Sequence, residues 1–532
     1  MPFTLNITRT SSVLFGALCV ASGFSLIHDV PEWQITGRWI GSLAVAALGL
    51  FVVSTIKLLR PGHGTIPCVR TCSMYMATVN IAVVVYCLMQ LASLARNSTP
   101  FRAVADFDNP AGVAALLCVT FPFSTMATAG WRSSRIIAVA LLTIDSVVLF
   151  LIQSRSGLSA LAATALTWVV CGPRGAFFFK AKRLVMVLLL VAAATGGLAF
   201  LSYHKKASTY GRMVILSTCM RMVADRPLLG HGPHGFEREF MLSQAEFLKG
   251  IEDENILMLS DNVTHPLSEY MLVAVDYGLT GLSVVIAIII CAVVGASRRC
   301  GRTRVFLFME FCSVCTLSLF SYPFRYPMTW VALVCCFVPE LIIWAESCSL
   351  TVNKIVWSAT LVLSVFTLLS VGRWHMVQAK WKTITDRLNS DTGAAMTISR
   401  EMLPLTDAVL SGNPRYLYSR AVVNYYAAFY DQALADAKGC AAMLSSYDTE
   451  LLLGSVYQKM RKFHDAESHY MVASYMCPSR ITPLYRLFRL YEEQGDSSSM
   501  VEIGRRLLDK PVKIQSRETR AMRLDVRRTI EQ

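Results

Sequence analysis

Ser208-Thr-Tyr-Gly-Arg212, Asp225-Arg-Pro-Leu-Leu-Gly-His-Gly-Pro233 and Thr264-His265-Pro-Leu-Ser-Glu-Tyr270 lie in one polar stretch of about sixty residues, and the third runs directly into an apolar helix. Apolar sequence bounds the stretch on both sides, at 184–202 and 268–295. Irregular polar backbone cannot face lipid, because its unpaired N–H and C=O groups would find no partner there. The stretch therefore reads as a loop held at a membrane surface. Its arginines and histidines suit work on an anion carried by a lipid.

The rest of the chain agrees with that reading. Of 532 residues 54% are hydrophobic and 16% are charged, with a mean hydropathy of +0.47. A soluble chain has no interior large enough for this, so the class is an all-α, polytopic membrane protein. A hydrocarbon core of about 30 Å takes roughly 20 apolar residues per helix. On that measure there are eleven spans, near 12–28, 36–56, 73–95, 111–129, 136–152, 157–172, 184–202, 268–295, 305–320, 328–345 and 355–372. The first lacks a small-residue cleavage site and is followed by more spans, so it reads as an anchor.

Charge sets the orientation. With the N-terminus inside, the short inner loops carry Lys57, Arg60, Arg70, Arg132, Arg135, Lys180, Lys182, Arg298, Arg302 and Lys354, among others, while the short outer loops carry Arg96, Arg102, Arg155 and Arg325. Lys and Arg resist translocation, so this asymmetry places 203–266 outside, and an odd span count places the C-terminal region outside too. The net charge of +14 is then mostly topogenic and does not point to nucleic acid. Of the 16 cysteines, Cys219, Cys440 and Cys477 fall outside the spans and inner loops. The rest read as small buried hydrophobes, Cys312-Ser-Val-Cys315 included, and a Cys440–Cys477 disulfide is compatible with an oxidising compartment.

Beyond residue 372 the composition becomes that of a soluble region. Gly454, Tyr457, Ala466, Tyr470, Ala473 and Pro478 stand in the order of a tetratricopeptide repeat, and Phe488 and Tyr491 recur about 34 residues after Gly454 and Tyr457. A weaker copy upstream carries Ala421, Ala433 and Ala437. The expected division is thus 1–372, a membrane domain with the loop 203–266, and 373–532, a helical-repeat domain. The repeats would either dock a partner or acceptor, or rigidify the last span.

Three side chains on the outer face draw attention. Arg155 sits in Gln153-Ser-Arg-Ser-Gly157, a tight break between two spans, where a cation needs an anion or water. Arg212 opens an amphipathic segment, Tyr210 to Met222, whose Met213, Leu216, Met220 and Met222 are expected along the membrane surface. A guanidinium grips phosphate through two donors and stays charged, and Arg221 and Arg226 stand nearby. His265 precedes a long apolar span, and an imidazole is the side chain suited to take a proton from an attacking hydroxyl near neutral pH. Glu269, one turn on, would orient His265 or cap the helix. Taken singly, each has a plainer reading: a snorkelling arginine, a solvated charge, a structural histidine. Gly230-His-Gly-Pro-His-Gly235 reads as a turn, and Glu252-Asp-Glu254 as a solvated face.

Taken together, Gln153-Ser-Arg-Ser-Gly157, the Arg212 helix with Asp225-Arg-Pro-Leu-Leu-Gly-His-Gly-Pro233, and Thr264-His265…Glu269-Tyr270…Asp276-Tyr-Gly-Leu-Thr-Gly281 resemble the O-antigen ligase superfamily over roughly residues 110–345. That superfamily includes O-antigen polymerases and bacterial protein O-oligosaccharyltransferases, some carrying tetratricopeptide repeats. The resemblance implies an inner-membrane enzyme that transfers a glycan from undecaprenyl diphosphate to an acceptor hydroxyl on the periplasmic face, without metal or other cofactor. It places the diphosphate on Arg155 and Arg212 and the base at His265; Glu269 and Arg221 are supporting candidates by their own positions in the chain. In the family the histidine is commonly followed by Asn, whereas here Pro266-Leu267-Ser268 follows, so the family position falls at His265 or two residues on, at Leu267. A repeat-bound protein partner is also implied. A transporter or a non-enzymatic anchor is the reading from other classes. Few charges lie deep in the spans (Asp145, Asp276, Glu310, Glu340), and no pair of broken helices is evident.

Overall fold

The computed structural model describes residues 69–97, 110–172, 206–336, 349–402 and 410–531, apart from single positions within those stretches, with a few further positions before residue 69 and at Gly196. The described residues are helical or irregular, with no strand among them. Among the described residues six helices are long and apolar enough to cross a membrane, which fits a membrane protein. They lie where spans 73–95, 111–129, 136–152, 268–295, 305–320 and 355–372 were expected. The helix at the expected span 157–172, Arg155–Cys171, has 17 residues. The expected spans at 12–28, 36–56, 184–202 and 328–345 fall wholly or partly outside the described residues.

The described residues divide into two compact units. The first takes residues up to His204, Leu267–Glu269 and Val285–His375; the second takes Lys205–Pro266, Tyr270–Val284 and Met376–Gln532.

In the first unit, α1 (Val69–Asn97), α2 (Pro110–Ala127), α3 (Ser134–Leu151) and α4 (Arg155–Cys171) share one core with α9 (Gly301–Phe320). α2 is buried along most of its length, and Phe123 meets Phe306 edge-on at 4.9 Å. Its polar residues survive there by bonding back along the helix: Thr120 Oγ1 donates to Leu116 O at 2.8 Å, and Ser124 Oγ to Thr120 O at 3.2 Å. Asn80 Nδ2 donates to Thr120 Oγ1 at 3.0 Å and to Asp145 Oδ2 at 3.2 Å, which ties α1, α2 and α3 together with fully buried groups.

In the second unit, α5 (Lys206–Asp225), α6 (Gly235–Leu248) and α7 (Glu254–Leu259) form the loop region. Of α8 (Glu269–Ser297), Tyr270–Val284 belongs to this unit and the rest to the first, where Ile286, Ile288 and Ile290 are exposed, as suits a helix surrounded by lipid. α10 (Leu350–Ser390) is one helix of 41 residues that runs well past the expected boundary at 372. The apolar run ends there, but residues such as Lys380 and Lys382 keep the backbone helical. After α11 (Ala395–Met402) come α12 (Pro414–Tyr426), α13 (Tyr430–Ala441), α14 (Tyr447–Lys459), α15 (Phe463–Met476), α16 (Thr482–Gln494), α17 (Ser497–Asp509) and α18 (Arg517–Glu531). Successive helices pack on one another. At Gly454 an added Cβ would stand 2.4 Å from the Tyr470 ring, so a small residue there is what lets α14 and α15 meet.

One core joins the loop region to the C-terminal helices: Cys219, Met222, Phe236, Phe240 and Met241 are buried with Tyr447, Ala473, Met476 and Cys477. Met222 therefore points inward, against the expectation that it lies along the membrane with Met213, Leu216 and Met220. Those three stay exposed. The helix has one apolar stripe for each side, and Met222 falls on the inner one. Cys440 and Cys477 are free thiols, not a disulfide. Cys440 Sγ meets Thr449 Oγ1 at 3.5 Å, and burial pushes the Cys219 and Cys477 thiols up to about 12.

Candidate functional site

Arg155 belongs to the first unit and is the first residue of α4. The preceding Gln153 takes a left-handed φ of 58°, which turns the chain sharply between α3 and α4. Ser154 caps α4 by accepting from Gly157 N at 3.3 Å. Gly157 is pressed against α2 and α3: a Cβ there would stand 2.8 Å from both Ala114 Cβ and Leu149 Cδ2. The turn is thus wedged in place. It presents a half-buried guanidinium at a helix N-terminus, a setting that favours an anion.

Glu269 also lies in the first unit. Its Oε1 accepts from Phe324 N at 3.1 Å, and Ser268 Oγ donates to Ser318 O at 3.2 Å. Leu267 has a left-handed φ of 59° and packs into the core shared by α1–α4 and α9. Of the two residues on which the family histidine falls, Leu267 is thus built into the core, and His265 is half-buried.

Arg212 and His265 belong to the second unit. Gly211 passes the end of α7, its missing Cβ 3.7 Å from Leu259 O, so the turn carrying Arg212 lies against the segment that leads to His265. Arg221 is exposed, and its guanidinium covers the Phe247 ring at 4.4 Å. Asp253 Oδ1 caps α7 by accepting from Asn255 N at 2.9 Å, within an acidic run that is solvent-exposed. Among the described residues no group of three or more His, Cys, Asp or Glu could hold a metal ion.

The two glycine motifs turn out to be halves of one contact. α8 breaks at Gly278, with φ 65° and ψ −160°, a break that the sequence did not announce. The backbone groups freed there are taken up by the turn 227–232. Leu279 N donates to Pro227 O at 2.8 Å and Thr280 N to Leu228 O at 3.2 Å, while Val275 O accepts from His231 N at 2.9 Å and Asp276 O from Gly232 N at 2.8 Å. Asp276, read from sequence as a charge inside a span, instead receives Phe236 N at 2.8 Å and so holds the start of α6. Residues 136–286 match the O-antigen ligase family. The matched stretch contains Arg155, Arg212, His265 and Glu269, and also both halves of this glycine contact. No curated protein matches the chain.

His231 is a supporting residue that sequence reading left as part of a turn. Its Nδ1 meets Glu239 Oε2 at 2.6 Å and its Nε2 meets Met222 O at 2.8 Å. Burial pushes the Glu239 carboxyl up, but hydrogen bonds from Arg238 and His231 outweigh this and hold it below the ordinary value. A depressed carboxyl adds stability above its unfolded value and loses it as pH falls through the folded one. The loop region is therefore expected to become protease-sensitive below about pH 4, where an unfolded glutamate protonates. Glu239→Gln should flatten that dependence and cost about 1 kcal/mol, because a neutral amide oxygen replaces the carboxylate as the acceptor at His231 Nδ1. An unchanged acid profile in limited proteolysis would remove the role given to Glu239.

Proposed function

We propose that this protein transfers a glycan from undecaprenyl diphosphate to an acceptor hydroxyl at the periplasmic face of the bacterial inner membrane. The observation that carries the reading is the match to the O-antigen ligase family over 136–286, which spans Arg155, Arg212 and His265 in one stretch. Arg155 and Arg212 hold the diphosphate. His265 takes the proton of the acceptor hydroxyl as its oxygen attacks the anomeric carbon, and the bond to the diphosphate oxygen breaks with inversion. Diphosphate is already a good leaving group, so two guanidinium groups that meet its growing charge supply much of the barrier reduction without a metal. The anion-favouring setting of Arg155 supports its part. Arg221, engaged with Phe247, supports the diphosphate site from a distance, and Glu269, four residues along the chain from His265, holds the backbone at Phe324. O-antigen polymerase and protein O-oligosaccharyltransferase activities of the same family are the alternatives.

The C-terminal helices are read as tetratricopeptide-like and periplasmic. Their shared core with the loop region supports the second point, since segments buried in one core cannot lie on opposite sides of a bilayer. A protein partner would meet them there.

His265→Ala is expected to lower glycan transfer by about 10²–10⁴-fold, the usual weight of a general base. Transfer is read as the banding of lipopolysaccharide and glycoproteins in a deletion strain carrying each variant. Wild-type banding with His265→Ala would leave the reaction without its base and sink this assignment.

A further inference from the structure

Besides Ser445, which is hydrogen-bonded to α6 at Glu237 and Met241, the C-terminal helices grip the residues just ahead of His265. Arg480, in the turn between α15 and α16, donates to Asp261 Oδ1 through Nη2 at 2.9 Å and Nε at 3.1 Å. Lys513 Nζ stands 3.6 Å from Asp261 Oδ2. The Arg480 guanidinium itself lies over the Tyr447 ring at 4.7 Å. Ser479 Oγ donates to Ser260 O at 3.4 Å. Gln244, fully buried on α6, donates from Nε2 to both Asp261 O at 3.1 Å and Met476 O at 2.9 Å, so one amide stitches the two segments together. Val263 then packs into the shared core. Residues 260, 261 and 263 are thus all anchored, and His265 follows two positions later.

We infer that Arg480 and Asp261 are positioning residues, through which the C-terminal helices fix the segment that presents His265. The inference rests on the role proposed above for His265. Irregular segments this short have little order of their own, and a displacement of about 1 Å can cost a reaction 10²-fold. The ion pair is charge-assisted and partly shielded, the class of contact that gives direction as well as strength. Burial pushes the Asp261 carboxyl up, but the Asn262 N–H, Arg480 and Lys513 together hold it below its ordinary value, as an anion in lasting use would be. The C-terminal region then serves catalysis from within the protein, whether or not it also docks a partner.

The test uses the full-length chain in membranes, with undecaprenyl-diphosphate-linked glycan extracted from the host as donor. Arg480→Ala and Asp261→Asn are each expected to lower kcat about tenfold with little change in the KM for donor, because the diphosphate grip is untouched. Arg480→Lys should recover most of the loss. Hydrogen exchange of the peptide covering 256–266 should rise in Arg480→Ala, a readout independent of activity. Unchanged exchange, or raised exchange with wild-type kcat, overturns the inference. His265→Ala is run alongside. If it transfers at the wild-type rate while Arg480→Ala still loosens the peptide, then the histidine assignment has failed and the grip is a structural contact only.

Discussion

Arg212→Ala is expected to reduce glycan transfer by about 10²–10³-fold, the usual effect of deleting a preorganised charge that meets a developing anion. Arg155→Ala should do the same. If, as proposed, both meet the charge of one leaving group, the double variant should lose less than the product of the single losses. Arg212→Lys keeps the charge but not the paired donors, and should recover only part of the rate. The measurement is release of undecaprenyl diphosphate from the labelled donor in membranes with matched protein levels. Arg221→Ala is the control: this guanidinium lies over Phe247, and its loss should change the rate by less than tenfold. If Arg221 proved as sensitive as Arg212, the diphosphate would have been placed at the wrong end of α5.

The second large effect is structural. Gly278→Ala should disrupt the second unit, because a Cβ there would stand 2.3 Å from Leu228 O and 2.8 Å from Gly230 N. The backbone conformation is one that essentially only glycine adopts, and forcing a side chain into it costs about 1–3 kcal/mol before any overlap is counted. Gly230→Ala meets the same contact from the other side, its Cβ falling 2.6 Å from Asp276 O. Both variants should expose the 205–266 region to protease while the helices of the first unit stay intact. Gly232→Ala is the milder comparison: its φ of 87° is strained for alanine, yet an added Cβ meets nothing within 4 Å. Protease resistance equal to wild type in Gly278→Ala would mean that the glycine contact is dispensable.

The positions where sequence and structure agree share one trait: the information is local. An apolar run marks a helix because its own neighbours in the chain carry the pattern, so the helices at 110–127, 134–151, 269–297 and 301–320 lie where the runs lie. The sharp turn at Gln153-Ser-Arg-Ser-Gly157 was likewise readable, since polar and small residues interrupt two such runs. Hydropathy marked the end of the last apolar run near 372, but it could not mark the end of the helix, which continues to Ser390. The stripe Met213, Leu216 and Met220 was visible as amphipathic, but which side Met222 would join depended on what packs behind it.

By itself the sequence determined an all-helical membrane chain, a polar loop between apolar runs, and the order of Arg155, Arg212 and His265 along it. Tertiary structure decided what supports them. Asp261 and Arg480 are 219 residues apart, and neither has a neighbour in the chain that announces the other. The turn at Gly230 and the break at Gly278 pair through backbone N–H and C=O groups, which every residue carries and which leave no side-chain signature. Composition and periodicity record what each segment buries, whereas the partner it is buried against is settled only when distant segments close on one core.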